Sequence, residues 1–248
     1  MEERDTTTNE KCLASLSKKQ NILPTLFKAA KLYEENLLNQ NMLVVFKAQS
    51  NQYKYIEIIF EARHFRHLTG VRVSESGAAD FYNKCLKKRI SINDFELADD
   101  GTTILKSEVI EQGMKIHIFS KTVGDFNGKR CSLKTEKLVG NIRCTMGFVR
   151  ELSGFFAPNT LLKADIRDEI VKSHQLMAVY MKSKEDEKYS RLCYVAKPLN
   201  PEQVRWNKEI ESKIIDKENL KIECNKLVNK PKEDKQHKNK KKPKKTTT

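Results

Sequence analysis

Two runs rich in β-branched and aromatic residues, Met42 to Lys47 and Tyr53 to Phe60, flank the polar stretch Gln49-Ser50-Asn51-Gln52. Apolar runs joined by so short a polar link form a β-hairpin, and any fold for this chain has to cover it. From Arg130 the period turns towards two: Ile142, Cys144, Met146 and Phe148 alternate with Arg143, Thr145 and Gly147, predicting one apolar face and one polar, cationic face. His174 to Lys182 and Lys188 to Lys197 read as two more strands around the charged turn Ser183 to Glu187. The second half is therefore expected to be an antiparallel sheet.

Helical spacing fills the intervals. Leu23, Phe27, Ala30, Leu37 and Leu38 lie close to one face of a helix over 23–38, with Pro24 suited to its first turn. Ala78, Phe81, Tyr82, Cys85 and Leu86 mark a second helix that Ser76 could cap, and Thr102 or Thr103 could cap a third carrying Leu105, Val109 and Ile110 to about Gln112. The stretch 115–121 fits helix or extended chain. With 38% hydrophobic residues, including 11 Phe and 7 Tyr, the 248-residue chain can bury a sizeable core. The expected class is α+β, with N-terminal helices packed on a mainly antiparallel sheet.

The ends read differently. Residues 1–20 are polar and expected to form a loose arm, leaving 21–198 as the main domain. Asn200-Pro201-Glu202-Gln203 reads as the start of a charged helical extension over 199–229, with Asn200 as N-cap and a thin apolar stripe through Val204, Ile210, Ile214, Leu220 and Leu227. Residues 230–248 hold nine lysines against Glu233 and Asp234, a low-complexity tail expected to be disordered. The formal charge is +14, and +7 remains without that tail, so the folded body itself favours a polyanionic partner such as nucleic acid. Six scattered cysteines without a C-x-x-C pair suit a reducing compartment. No signal-peptide core or membrane-length apolar run is present, and a cytoplasmic location is expected. P-loop, dinucleotide-binding and nucleophile-elbow motifs are absent, and no cofactor is expected.

The candidate chemistry gathers at Arg63-His64-Phe65-Arg66-His67-Leu68-Thr69-Gly70, beyond the second apolar run. Histidine, with an ordinary pKa of about 6.5, suits proton exchange at neutral pH. The plainer alternative packs one histidine under Phe65 and leaves the other on the surface. A zinc site is disfavoured because no Cys, Asp or Glu sits nearby at ligand spacing. Lys106, among Ile104, Leu105, Val109 and Ile110, is either an inward cation or a snorkelling surface lysine. Arg143 and Thr145 could face a phosphate from a rigid strand, or simply solvent. Asn159 and Thr160, after Pro158, either make a turn or face a pocket.

The ordered set His64-Phe65-x-His67-Leu68-Thr69-Gly70, Phe81-Tyr82, Lys106, Pro158-Asn159-Thr160-Leu161-Leu162 with Asp165, and a last hairpin bearing Tyr189 resembles the phage-associated Barnase-EndoU-colicin-RelE-like nuclease domains over 36–198. The resemblance implies their α+β fold and metal-independent RNA cleavage, in which the ribose 2′-hydroxyl attacks the adjacent phosphate. By the same resemblance His67 is the proton-transfer residue, Lys106 the phosphate-facing cation and Thr160, in place of a serine, a phosphate-orienting hydroxyl. His64 and Thr69 support the catalytic set, and Arg63, Arg66, Arg143, Asn159 and Tyr189 are the substrate-binding candidates. Phage or mobile-element origin and a bacterial host cell are implied with it. Two other readings stay open: a non-catalytic binder of nucleic acid or of a host protein or ribonucleoprotein, such as a nucleic-acid-guided defence complex, and a structural accessory acting through its tail.

Overall fold

The computed structural model describes residues 3–224, apart from 49, 51, 74–76, 132, 198 and 201–202. Helix α1 spans Glu3–Asn36, strand β1 Gln40–Lys47 and strand β2 Tyr53–Ile59. A 3-10 turn, Ala62–His64, leads into the short α2, Phe65–Thr69, and then come α3, Ala78–Leu86, and α4, Thr102–Gly113. After α5, Ile116–Phe119, follow β3 (Thr122–Asp125), β4 (Lys137–Gly140), β5 (Thr145–Arg150) and β6 (Phe156–Leu162). The described residues end with α6 (Ile166–Glu169), β7 (His174–Ser183), β8 (Arg191–Val195), α7 (Lys208–Lys213) and the two-residue β9 (Lys221–Ile222). The α+β class holds: helices lie against a sheet whose neighbours are mostly antiparallel.

That sheet closes on itself. Its order is β1-β2-β6-β5-β4-β3-β7-β8-β9, and β7 also pairs with β1 along its length, from Gln40↔Ser183 to Lys47↔Gln175. The ring is pinched where β2 meets β6 at the single parallel pair Ile58↔Phe156, and where β3 meets β7 at Thr122↔Gln175 and Val123↔His174. Strand β1 has both edges paired and both faces covered. Met42, Val44 and Phe46 enter the main core with α1 to α4, while Leu43 and Val45 enter a second core on the opposite face. This is why 42–46 is an unbroken apolar run instead of an alternating one.

Several expectations change. The expected loose arm, 1–20, is helical from Glu3, and Pro24 lies inside α1 instead of opening it. An interior proline costs a helix roughly 3 kcal/mol, and tertiary anchors on its N-terminal side offset that cost. Buried Lys19 pairs with Glu96 at 2.7 Å and lies over the Phe95 ring, while Ile22 and Leu26 enter the core. Helix α4 is preceded by Gly101 as its N-cap, not by a threonine, and Thr103 is buried with a different task. The proposed Ser76 cap lies outside the described residues, and Gly77 occupies the N-cap of α3. Ile142 and Arg143 belong to an exposed bend ahead of β5, where Ile142 is 61% exposed, and β5 is buried on both faces from Thr145 to Phe148, so the expected alternation of an apolar with a polar, cationic face is not found.

The C-terminal extension differs most. Its helix begins at Lys208, capped by Asn207, whose side chain accepts from the Ile210 N–H at 3.0 Å, and not at Asn200. Before it, Val204 and Trp206 run without helix into the second core. The Trp206 indole donates to the Tyr180 hydroxyl at 2.8 Å and meets the Tyr53 ring edge-on at 4.9 Å. Ile210 and Ile214 close the same core over β1, β7 and β8. The thin stripe is therefore a lid on the sheet's second face. The Lys-rich tail lies outside the described residues.

Truncating Trp206 removes a buried ring and leaves the Tyr180 hydroxyl without its donor. Trp206→Ala is expected to destabilise the protein by about 3 kcal/mol, read as a lower urea midpoint with the slope unchanged. An unchanged midpoint would show that the extension is dispensable to the fold.

Candidate functional site

The short helix α2 carries the site and is fixed from both ends. At its start, buried His64 accepts the Glu61 main-chain N–H on Nδ1 at 3.1 Å, which requires a neutral ring protonated on Nε2. Burial, then the Arg63 cation, hold its pKa well below the ordinary value. Glu151 lies 3.6 Å away, but Arg63 engages that carboxylate at 2.6 Å and Glu61 at 2.8 Å. Arg63 and Lys184 together draw the Glu61 carboxyl down to about 2. At its other end, the Thr69 hydroxyl donates to the Arg66 carbonyl at 2.7 Å, and the chain leaves through Gly70 at φ 72°. His64, Arg63 and Thr69 thus shape α2 and do not line the cleft below.

Helix α4 locks the end of α2 in place. The Thr103 hydroxyl donates to the Gly70 carbonyl at 2.8 Å and accepts from the Ala98 N–H at 2.9 Å. One turn later, Lys106 sends its ammonium to the His67 carbonyl at 2.8 Å, a cation at a helix C-terminus. Gly70 is needed twice over: its φ favours glycine, and a Cβ there would lie 2.9 Å from the Lys106 side chain. Lys106 is 7% exposed, and burial lowers its pKa to about 8 against the pull of Asp100. It is neither a snorkelling surface lysine nor a wholly free one.

The remaining parts arrive on β6. Pairing with β5 slips between Gly147↔Thr160 and Phe148↔Pro158, so Asn159 is the extra residue of a β-bulge, a device that re-aims side chains beside functional sites. Asn159 and Thr160 make no turn, since Pro158, Asn159 and Thr160 all stay in β6, and both border a cavity instead. The Asn159 amide N–H donates to the Lys134 carbonyl. Helix α4 reaches β6 closely because Gly113 has no side chain: a Cβ there would lie 2.7 Å from Leu161.

Two adjoining cavities, of about 450 and 480 Å³, lie between these elements and share Asp100, Thr102, Lys106 and Asn159 in their walls. His67 and Arg66 border the first, and Thr160 and Lys134 the second. Three positions far apart in sequence, His67, Lys106 and Thr160, are thus brought to one cleft, with Arg66 and Asn159 beside them. Exposed His67 is pushed below its ordinary pKa by partial burial, then by Arg66, Lys106 and Arg63, so it is mainly neutral at pH 7. Two expected binding residues lie elsewhere. Arg143 is on the bend before β5 and lines neither cavity, and Tyr189 is buried under the second core with its hydroxyl on Glu57 at 3.1 Å.

Asp100, Arg72 and Lys134 were not picked out by sequence. Asp99-Asp100-Gly101 looks like any turn, and Asp100 does accept the Thr102 N–H at 2.9 Å, so nothing local marks its second position at the cleft. Lys134 was one of many lysines. Among the described residues no group of three or more His, Cys, Asp or Glu could hold a metal ion, and no helix is long and apolar enough to cross a membrane.

An α+β body with a basic cleft holding a histidine, a lysine and a hydroxyl is the frame of a nuclease-like protein. The model of the phage-Barnase-EndoU-ColicinE5/D-RelE like nuclease4 family matches residues 25–197, and the chain belongs to that family. No curated protein and no solved structure matches the chain.

Gly70→Ala is expected to cost about 1–2 kcal/mol through the left-handed backbone and to displace Lys106, which a thermal melt and a crystal structure would report. Acid should unfold the protein early. Buried His117, held at about 4, and His64 stay neutral in the fold but protonate in the unfolded chain near 6.5, so the unfolded state binds more protons between these values. Stability then falls as pH drops from 6.5 towards 4, by at most about 1.4 kcal/mol per pH unit for each histidine. His117→Gln should flatten that slope.

Proposed function

We propose that the protein is a metal-independent ribonuclease of phage or mobile-element origin, acting in the cytoplasm of a bacterial host. The observation that carries this reading is Lys106 lining both cavities, with His67 on one and Thr160 on the other. In the proposed reaction, the neutral His67 imidazole takes the proton of a ribose 2′-hydroxyl. The freed oxygen forms a bond to the adjacent phosphorus as the bond to the 5′-oxygen breaks, leaving a 2′,3′-cyclic phosphate. The departing 5′-oxygen takes a proton from the imidazolium or from solvent and becomes a hydroxyl. Negative charge grows on the phosphate oxygens during this step. A largely desolvated ammonium is worth more there than in water, and Lys106 is that group, with the Thr160 hydroxyl orienting the same phosphate.

The bond from Lys106 to the His67 carbonyl ties the two roles together: the cation that meets the phosphate also sets where the imidazole stands. Arg66 on one side and Lys134 on the other extend positive charge along the cleft, which suits a polyanion entering from either end.

His67→Ala is expected to leave the melting temperature within 2 °C or so, since the side chain is exposed and surface changes are small, and to lower RNA cleavage in EDTA by about 100-fold or more. Cleavage should rise with pH through a His67 pKa below 6.5 and fall as Lys106 loses its proton near about 8. An RNA with a single 2′-deoxy position should be uncut there. Unchanged cleavage in His67→Ala, or cutting at the deoxy position, rejects the mechanism. Salt-sensitive binding to RNA without product would instead favour the non-catalytic binder.

A further inference from the structure

Breaking the RNA chain in this way moves two protons, one off the 2′-hydroxyl and one onto the departing 5′-oxygen. The attacking and leaving oxygens stand roughly in line on opposite sides of the phosphorus, so a group that takes the first proton is poorly placed to give the second. His67 borders the first cavity and not the second. The imidazolium it becomes therefore stands on the attacking side, and an acid for the leaving oxygen has to reach the second cavity.

The cations along that cavity are Lys106, Arg130, Lys134 and Lys163. A guanidinium does not give up a proton in a protein, and Arg130 is bound to Glu169 at 2.5 Å. Lys163 is occupied by the Glu108 carboxylate, and Lys134 is exposed, where water solvates its ammonium. Lys106 differs from all three: it is buried, and yet it forms part of the wall of both cavities. Burial disfavours its charged form and brings its pKa to about 8, close to where an acid works best at neutral pH. Among the described residues bordering the two cavities, Asp100 is the one carboxylate, and it favours the charged form. Arg66, His67 and Arg72 on one side and Lys134 on the other oppose it.

The ammonium has three N–H bonds, and its bond to the His67 carbonyl takes one of them. An amine that has lost a proton keeps two, so Lys106 can give one up without releasing α2. We propose that Lys106 is the general acid of the reaction: one of its N–H bonds breaks as an O–H bond forms on the 5′-oxygen and the phosphorus–oxygen bond opens. His67 keeps the proton of the 2′-hydroxyl. Afterwards the imidazolium gives a proton to water and the amine takes one back, which restores both groups. The assignment rests on the ribonuclease reading above and gives Lys106 a part in bond-making beyond its charge.

The test is a pair of RNAs that differ at one linkage the wild type cuts, its 5′-oxygen replaced by sulfur. A thiolate departs without a proton, because a thiol is a much stronger acid than an alcohol. In EDTA, single-turnover cutting of the oxygen linkage by the full-length protein is expected to fall about tenfold from pH 7 to pH 9, as one proton is lost near about 8. The sulfur linkage should stay within about twofold of its rate at pH 7 over the same range. Lys106→Met should cut the oxygen linkage about 100-fold more slowly, with no such fall left. Lys134→Gln, at an exposed position where folding is not at stake, should keep the fall. If a thermal melt shows Lys106→Met unfolded, the wild-type pair and Lys134→Gln decide. The same fall on both linkages overturns the acid and leaves the ribonuclease reading standing with Lys106 as a cation. A fall that persists in Lys106→Met, or vanishes in Lys134→Gln, overturns the acid as well. A wild type that cuts neither linkage rejects the ribonuclease reading and the acid with it.

Discussion

The arrangement of the site depends on one buried ammonium. Lys106 leaves α4 with its stem packed under Gly70 and ends on the carbonyl of His67, joining the helix that supports the cleft to the helix that carries its imidazole. Taking a charge out of water raises the energy of the protonated form, visible in the drop of its pKa to about 8. The protein tolerates that because the cation meets the negative end of α2. The Thr103 hydroxyl, on the Gly70 carbonyl, is a second hydrogen bond tying this end of α2 to α4. Position and charge are therefore supplied by the same side chain.

Much of the fold was legible because burial leaves periodic traces. The hairpin of β1 and β2, the helix over Ala78–Leu86 and the β7–β8 hairpin follow from β-branched runs and from apolar spacing. What failed did so for physical reasons. Pro24 carries a strong helix-start preference, yet Lys19 and Ile22 are anchored on its far side, and tertiary contacts overrode the local signal. Asn200-Pro201 resembles a cap, but Trp206 and Val204 are drawn into the second core and the helix waits for Asn207. The double burial of 42–46 could be read as a strand, but not as a strand between two cores, because the second cover comes from residues more than 150 positions away.

The site was half legible. Composition singled out Arg63 to Gly70, but sequence cannot tell an inward histidine from an outward one. His64 turns in to accept a main-chain N–H, and His67 turns out to the cavity. Likewise Lys106, Asn159 and Thr160 were suspicious only as a set, and their meeting depends on Gly113 letting α4 down onto Leu161. Arg143 and Tyr189 show the opposite error: a good residue type carried by a part of the fold away from the cleft. Asp100 and Lys134 had no local mark at all, since a turn aspartate and a surface lysine look alike wherever the fold puts them.

The closed sheet also sets an order in time. Strand β1 emerges early, but its second edge is filled by β7, whose first residue, His174, lies 134 positions after Gln40, and its second face is covered only by Trp206 and its neighbours. Pairings between such distant segments form slowly and after the local ones. A ribosome making this chain therefore releases the hairpin, α2 and α4 well before the ring can shut around them. The cleft reaches its final shape only when most of the protein has been synthesised, so the timing of translation separates the making of the parts from the onset of any activity they have together.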